Sequence, residues 1–322
     1  MKIGFDLMGT DSAPDSELAA LKILQNERLN NLLVCGKGEY ESQVVDMGYE
    51  FLLAHEVIGM HDIPSVAIRQ KRSSSIALLL EALKKKEIDA VVSASNTGAI
   101  MGFSMFILGK ITETTKAGLA VTLPTEIGYS IMLDVGANIN PKISDYCNYG
   151  IMGSVLAEII LGKENARVAL LNIGGESMKG DDSRQKAYAA LKESSINFIG
   201  NVEGNDIMKG FSDVIICDGF TGNVILKFSE GLIDTLTQML KKTVYAALRR
   251  RFGQFLVKPA FENLKSKFSY EEYGGAILLG VDGVVIVCHG RSSPEALSNA
   301  IKLARTCIEH NIVDEIRKRL KQ

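Results

Sequence analysis

Short apolar runs rich in β-branched residues recur along the chain, and each is followed by a glycine-rich turn and a helical pattern. The runs are residues 2–5, 89–93, 168–172, 214–217 and 284–288. The helical patterns after them cover residues 17–24, 99–108, 183–192, 224–240 and 295–310. Continuous apolar strands that alternate with helices are typical of a mostly parallel sheet covered on both faces. The pattern therefore predicts an open, three-layer α/β fold.

Two segments depart from this repeat. Residues 119–123 and 129–135 are apolar runs joined by a short connection that contains Pro124, which predicts an antiparallel hairpin within the sheet. Residues 90–109 carry no charge and are long enough to span a bilayer, but polar side chains and two interior glycines interrupt them. We interpret them as a strand, a turn and a buried helix. No linker divides the chain, so we expect one domain over residues 1–322.

Charge is distributed unevenly. The chain has 36 Lys and Arg against 38 Asp and Glu, a net charge of −2, which argues against a strongly basic nucleic-acid binder. Residues 241–267 contain eight basic residues and one acidic residue, so this segment carries +7 and the rest of the chain −9. Its apolar residues fall at helical spacing, with Pro259 as a break. We expect a basic amphipathic helical hairpin within residues 236–272.

Three interpretations of this hairpin stay open. A basic amphipathic helix with Phe on its apolar face fits contact with an anionic membrane. It equally fits docking of an acidic protein or packing against a second copy of the chain. The residues expected to make the contact are Leu248, Arg250, Arg251, Phe252, Phe255, Leu256 and Lys258.

Several common active sites have no support in the sequence. No GxGxxG follows a strand, and neither HExxH nor GxSxG occurs. Residues 175–181 have glycine spacing like that of a phosphate-binding loop but place Asp181 where the lysine should be. The five cysteines are far apart and suggest free thiols in a reducing cytoplasm.

The turns after the strands carry the remaining chemistry. Ligands of open α/β sheets bind at the carboxyl ends of strands, where glycine-rich turns and helix N-termini expose N–H groups to anions. We expect several such turns at one edge of the sheet, with Lys179 as a point positive charge. The residues expected to bind phosphate or substrate are Asn96, Thr97, Gly98, Gly174, Asp218, Thr221, Gly222 and His289. Asp218 could orient Lys179 or Asn223, or it could form an Asx-turn. For His289 the alternative to substrate binding is a role as a cap or surface group.

Motifs along nearly the whole chain resemble the bacterial phosphate acyltransferases of phospholipid synthesis. They include Asp6-Leu-Met-Gly-Thr-Asp-Ser-Ala-Pro14, Ser93-Ala-Ser-Asn-Thr-Gly-Ala99, Leu133-Asp-Val-Gly-Ala-Asn138 and Asp218-Gly-Phe-Thr-Gly-Asn223. Two departures are Thr10 and Ser95, which stand where the family has glycine. If the glycine at 95 needed a positive φ, Ser95 would be strained.

The resemblance implies a fold similar to phosphotransacetylases and isocitrate-dehydrogenase-like enzymes, a homodimer, and no metal or nucleotide cofactor. It implies transfer of a fatty acyl group from acyl-acyl-carrier-protein to phosphate, with Lys179 and Asn223 as the catalytic pair. It also implies a cytoplasmic protein that contacts the inner face of the membrane through the basic segment. Two alternatives stay open: coenzyme A as the acyl donor, or a non-enzymatic scaffold at a lipid surface.

Overall fold

The computed structural model describes residues 1–111, 116–246 and 273–321, and eleven strands of these residues form one sheet. The strands are β1 (Ile3–Asp6), β2 (Leu32–Gly36), β3 (Glu50–Leu53), β4 (Ala90–Ser93), β5 (Gly118–Thr125), β6 (Gly128–Leu133), β7 (Val168–Leu171), β8 (Phe198–Val202), β9 (Val214–Ile216), β10 (Ala276–Leu279) and β11 (Val284–Val287). Their order across the sheet is β3-β2-β1-β4-β11-β10-β5-β6-β9-β7-β8.

Helices cover both faces of the sheet, so the predicted three-layer α/β fold is confirmed. The described helices are α1 (Asp15–Asn26), α2 (Glu41–Asp46), α3 (Pro64–Gln70), α4 (Ser75–Lys84), α5 (Thr97–Ile107), α6 (Ile143–Leu161), α7 (Asp182–Glu193), α8 (Gly219–Ala246), α9 (Pro294–Glu309) and α10 (Ile312–Arg319). Alternate strand residues enter opposite cores: Val92 belongs to the core that includes residues of α1, α6 and α9, and Val91 to the core that includes residues of α4 and α5. Burial on both faces explains why the strands are continuously apolar.

The hairpin predicted from residues 119–135 is confirmed. β5 and β6 pair antiparallel, and Thr125 is opposite Gly128 at the turn. A further antiparallel strand, β10, was not predicted. It pairs with β11 on one side and with β5 on the other, and its short apolar run is separated from β11 only by residues 280–283.

These antiparallel strands divide the sheet into two halves that run in opposite directions. Between β11 and β6 the chain direction reverses three times, whereas the pairs on either side of these strands are parallel. The carboxyl ends of β1, β4 and β11 therefore lie at one edge, here called the first edge. Those of β6, β7 and β9 lie at the opposite, second edge. The expectation that the glycine-rich turns share one edge is wrong, because β10 adds a reversal that the sequence pattern did not reveal.

The predicted path of residues 90–109 is confirmed as β4, a turn and α5. Among the described residues, no helix has the length and apolar character needed to cross a bilayer. The residues of the basic segment expected to contact membrane, carrier protein or partner (Leu248, Arg250, Arg251, Phe252, Phe255, Leu256 and Lys258) lie outside the described residues.

Candidate active site

The loop after β7 presents Lys179 at the second edge. Asn172 is buried, its Nδ2 donates to the Lys179 carbonyl at 3.0 Å, and its Oδ1 accepts the Ile173 N–H at 2.9 Å. Gly180 has a φ of +86°, and a Cβ there would lie 2.5 Å from Asn172 Oδ1. A Cβ on Gly174 would lie 2.8 Å from Lys179 Cγ, so the lysine side chain runs directly over this glycine. Asn172 and the two glycines therefore fix the loop that carries Lys179.

Lys179 is exposed, and its ammonium has no ion pair or hydrogen bond with any residue that the structure describes. Most cations of this region are paired. Lys186 on α7 pairs with Asp182, and Arg184 pairs with Asp181 and Asp218. The Lys179 charge is thus available to an anion.

A buried carboxylate shapes the neighbouring turn after β6. Asp134 Oδ1 accepts the N–H groups of Leu119, Gly136 and Ala137 at 2.9–3.0 Å, and Oδ2 accepts that of Asn138 at 2.6 Å. Burial raises the pKa of Asp134, and the four N–H donors oppose that rise. Asp134 thus organises its loop, and within the described ranges no three His, Cys, Asp or Glu side chains are grouped as metal ligands.

Helix α8 begins at Gly219, five residues earlier than predicted. Asp218 caps it, because its Oδ1 accepts the Thr221 N–H and its Oδ2 accepts the Thr221 hydroxyl, both at 2.8 Å. A Cβ on Gly219 would lie 2.8 Å from Asp134 Oδ2, and one on Gly222 would lie 2.0 Å from the Asp134 carbonyl oxygen. These glycines permit close packing of the helix on the Asp134 loop. The segment expected to form a glycine-rich turn is therefore mostly the first turn of a helix.

Asn223 directly follows this first turn and is exposed. Its Oδ1 is 3.8 Å from the position of a Cβ on Gly136, so it borders the Asp134 loop. On the other side of that loop, Lys116 Nζ donates to Asn138 Oδ1 at 2.9 Å. The second edge thus gathers Asn223, Lys116 and the Lys179 loop around the start of α8.

Arg184 connects the Lys179 loop to α8, and the sequence reasoning missed it. Its Nη2 donates to Asp218 Oδ2 at 2.5 Å and to Thr221 Oγ1 at 3.2 Å, and its Nη1 donates to Asp181 at 2.5 Å. Asp218 thus pairs with Arg184 rather than orienting Lys179 or Asn223. The sequence feature that could have indicated Arg184 is Asp181, three residues before it. Asp181 is the N-cap of α7 and accepts the Arg184 N–H.

At the first edge, Asn96 and Gly98 hold α5 against residues 60–64. Asn96 Oδ1 accepts an N–H of the first turn of α5 at 3.1 Å, and its Nδ2 donates to the carbonyls of Met60 and Asp62 at 3.0 and 3.1 Å. A Cβ on Gly98 would lie 2.7 Å from Pro64 Cγ. Both amide protons of Asn96 are therefore engaged with the backbone. Thr97 between them is exposed.

His289 also lies at the first edge, directly after β11. Its Nδ1 accepts the Arg291 N–H at 3.1 Å. Burial and then the charge of Lys227 lower the pKa of His289, whereas Glu230 raises it. Lys227 and Glu230 belong to α8. This helix therefore starts at the second edge and comes near His289 about two turns later. The candidate residues form two groups, and α8 is the element common to both.

The two departures from the family motifs have a structural account. Thr10 donates its N–H to Glu17 Oε1 at 2.8 Å and its hydroxyl to Oε2 at 2.9 Å. Glu17 is fully buried, and burial raises its pKa to about 7. Ser95 does not take a positive φ, so the strain considered for it does not arise.

The fold is that of the phosphotransacetylases. A phosphotransacetylase from Streptococcus pyogenes matches with a TM-score of 0.62 at 13% identity, over 97% of this chain and 94% of its own. A branched-chain phosphotransacylase from Enterococcus faecalis matches with a TM-score of 0.60 at 11% identity, over 96% of this chain and 100% of its own. At such identities the likeness concerns the fold alone.

Sequence comparison gives the family. The family model described as "Fatty acid synthesis protein" matches residues 1–315. The phosphate acyltransferase of Syntrophotalea carbinolica is 40% identical over 320 residues, covering 98% of this chain and 92% of its own. That of Dictyoglomus turgidum is 40% identical over 324 residues, covering 98% of this chain and 96% of its own. The chain therefore belongs to the phosphate acyltransferase family, as its motifs indicated, and it is an acyltransferase.

Proposed function

We propose that the protein transfers a fatty acyl group from acyl-acyl-carrier-protein to inorganic phosphate. The products are acyl phosphate and the free thiol of the carrier, and the acyl phosphate is an activated acyl donor for phospholipid synthesis. The observation that carries the proposal is the Lys179 ammonium, which lacks a partner among the described residues and projects from a rigid loop that Arg184 joins to the start of α8.

The reaction asks little of acid–base catalysis. An oxygen of phosphate attacks the thioester carbonyl, the C–S bond breaks, and the carrier leaves as a thiolate, which is a competent leaving group. Phosphate is largely ionised at neutral pH. The protein must hold phosphate near the carbonyl and stabilise the developing oxyanion. We assign the charge for this to Lys179 and a hydrogen-bond donor to the Asn223 amide.

The other candidate residues divide by edge. Gly174, Thr221 and Gly222 would support phosphate binding at the second edge by shaping the Lys179 loop and the first turn of α8, with Asp218 as the cap of α8. The first-edge group of Asn96, Thr97, Gly98 and His289 stays a predicted set of substrate contacts. Its position at the opposite edge from Lys179 supports a role in binding a part of the substrate other than the phosphate.

A phosphate titration with two donors tests the proposal. Purified protein is mixed with palmitoyl-acyl-carrier-protein or palmitoyl-coenzyme A, and thiol release is followed as phosphate is varied. We expect release that saturates with phosphate and is faster with the carrier protein. Release that does not depend on phosphate would overturn the reaction, and preference for coenzyme A would overturn the donor.

A matched pair of lysine variants tests the site in the same assay. Lys179→Ala removes the unpaired cation, whereas Lys186→Ala removes an exposed lysine that pairs with Asp182 at 2.6 Å. Only the first should slow acyl transfer. Equal rates for the two variants would remove the catalytic assignment while leaving the reaction itself untouched.

We further propose that the protein is a homodimer, and an apolar stripe on α8 supports this. Five large apolar side chains at spacings of three and four residues are 44–67% exposed: Val224, Phe228, Leu232, Leu236 and Met239. An exposed stripe of this kind favours an interface. Phe228→Glu should yield monomer in sedimentation experiments, whereas Gln238→Glu, exposed but off the stripe, should not. A dimer that survives Phe228→Glu would argue against this interface.

The basic segment completes the proposal. We propose a cytoplasmic enzyme whose residues 241–267 contact the anionic inner face of the membrane, the acidic carrier protein, or both. The segment's charge of +7 against −9 for the rest of the chain supports an acidic partner.

A further inference from the structure

One ion pair stands directly at the predicted phosphate subsite. Arg184 Nη2 bridges Asp218 Oδ2 at 2.5 Å and Thr221 Oγ1 at 3.2 Å. The side chains of Arg184 and Asp218 are 21% and 10% exposed, so water screens the pair only in part. Whether this pair is intact therefore determines much of the electrostatic potential at the start of α8.

Asp218 alone would oppose the binding of phosphate. The N-terminus of a helix attracts anions because its N–H groups point outward and its dipole is positive there. Asp218 caps α8 and places a carboxylate at that same terminus. An unpaired carboxylate would repel a phosphate bound by Lys179 and Asn223. Arg184 supplies the compensating charge from α7.

Arg184 also fixes the geometry of the first turn. Thr221 receives hydrogen bonds from Arg184 and gives two to Asp218. Asn223 follows two residues later, at the start of the second turn. A planar guanidinium that contacts two groups restricts this turn more than a single-point cation would.

We propose that Arg184 is a positioning residue of the phosphate subsite, which cancels the charge of the Asp218 carboxylate and fixes the start of α8, directly before Asn223. The inference rests on the proposed function, since it presumes that phosphate binds beside Lys179 and Asn223. Arg184 acts through its partners and needs no contact with substrate. Its loss should therefore affect phosphate more than the acyl donor.

Charge restoration provides the test. Arg184→Met should raise the KM for phosphate by at least about tenfold, equivalent to ~1.4 kcal/mol, with little change in the KM for palmitoyl-acyl-carrier-protein. Adding Asp218→Asn removes the unpaired carboxylate and keeps an amide oxygen that can cap Thr221. The double variant should return the KM for phosphate to within about threefold of the parent. Lys186→Met on the same helix is the matched control.

Two outcomes would overturn the proposal. In the first, Arg184→Met raises the KM for phosphate and the KM for palmitoyl-acyl-carrier-protein by the same factor. In the second, the double variant has a KM for phosphate as high as that of Arg184→Met. Either result would be the behaviour of a residue with a merely structural role. If Arg184→Met fails to fold, the double variant still decides, because it leaves no unpaired carboxylate at the start of α8. Asp181, which also loses Arg184 as a partner, is 57% exposed and stays hydrated.

A binding measurement separates this proposal from the reaction. At the same concentration, added inorganic phosphate should raise the Tm of the parent and of the double variant by more than it raises that of Arg184→Met. This pattern would stand even if thioester loss in the parent proved independent of phosphate, which would refute the proposed function alone. Equal phosphate-induced shifts in all three proteins would refute the role of Arg184.

Discussion

Glu17 should make the stability of the folded protein depend on pH around neutrality. Its carboxyl is fully buried beneath the first glycine-rich turn, and it accepts two hydrogen bonds from Thr10. Burial raises its pKa from 4.5 to about 7, and the charge of the nearby Asp6 adds to the rise. The folded state therefore holds the Glu17 proton more tightly than the unfolded chain does.

The sign and size of the effect follow by linkage. As pH rises from 4.5 through 7, the unfolded chain ionises Glu17 first and the folded state loses stability; the loss is complete above pH 7. At 1.36 kcal/mol per pKa unit, the full loss is about 3 kcal/mol. Most of this loss falls between pH 5 and pH 8.

Glu17→Gln should remove this dependence. The amide oxygen can accept the Thr10 N–H, and the Thr10 hydroxyl can turn to accept from the amide nitrogen. Urea unfolding at pH 5 and pH 8 gives the difference in unfolding free energy between variant and parent at each pH. From pH 5 to pH 8 that difference should shift in favour of the variant by about 2–3 kcal/mol, whereas replacing the exposed Glu41 with Gln should shift it by less than about 1 kcal/mol. A parallel pH dependence in the parent and Glu17→Gln would refute the reasoning.

Three other changes have defined outcomes. Lys179→Ala should lower kcat by about 10²–10³-fold in the thiol-release assay, as the loss of one oxyanion donor typically does; a rate within twofold of the parent would contradict it. Gly222→Ala should lower Tm, because its Cβ would lie 2.0 Å from the Asp134 carbonyl oxygen, whereas Gly231→Ala on the same helix meets open space and should raise stability by ~0.5–1 kcal/mol. Equal Tm changes would exclude the close contact. Phe255→Asp should weaken sedimentation with anionic liposomes and leave soluble activity unchanged; unchanged sedimentation would count against a membrane contact there.

The sequence predicted the layers of the fold well because both faces of each central strand are buried. Continuous apolar runs such as residues 168–172 and 214–217 therefore stand out, and the structure places β7 and β9 there. Strand direction was not predictable in the same way. A single short strand, β10, reverses one half of the sheet, and its apolar residues look the same in either direction.

The candidate site was predicted in part. Lys179 could be singled out as a cation in a glycine-rich turn, since that turn follows a clear strand. Arg184 could not, because its role depends on Asp218, which lies 34 residues away in sequence. The glycines at 219 and 222 indicated a turn, but they serve the packing of a helix against Asp134. Such close approaches between distant segments leave no local pattern.

Direct detection of product tests the central claim most closely. Palmitoyl-acyl-carrier-protein, phosphate and the purified protein are incubated together, and acyl phosphate is measured by phosphorus NMR beside the free carrier thiol. The account predicts one acyl phosphate for each thiol released, with both lost in Lys179→Ala. Thiol release accompanied by free fatty acid and no acyl phosphate would contradict it.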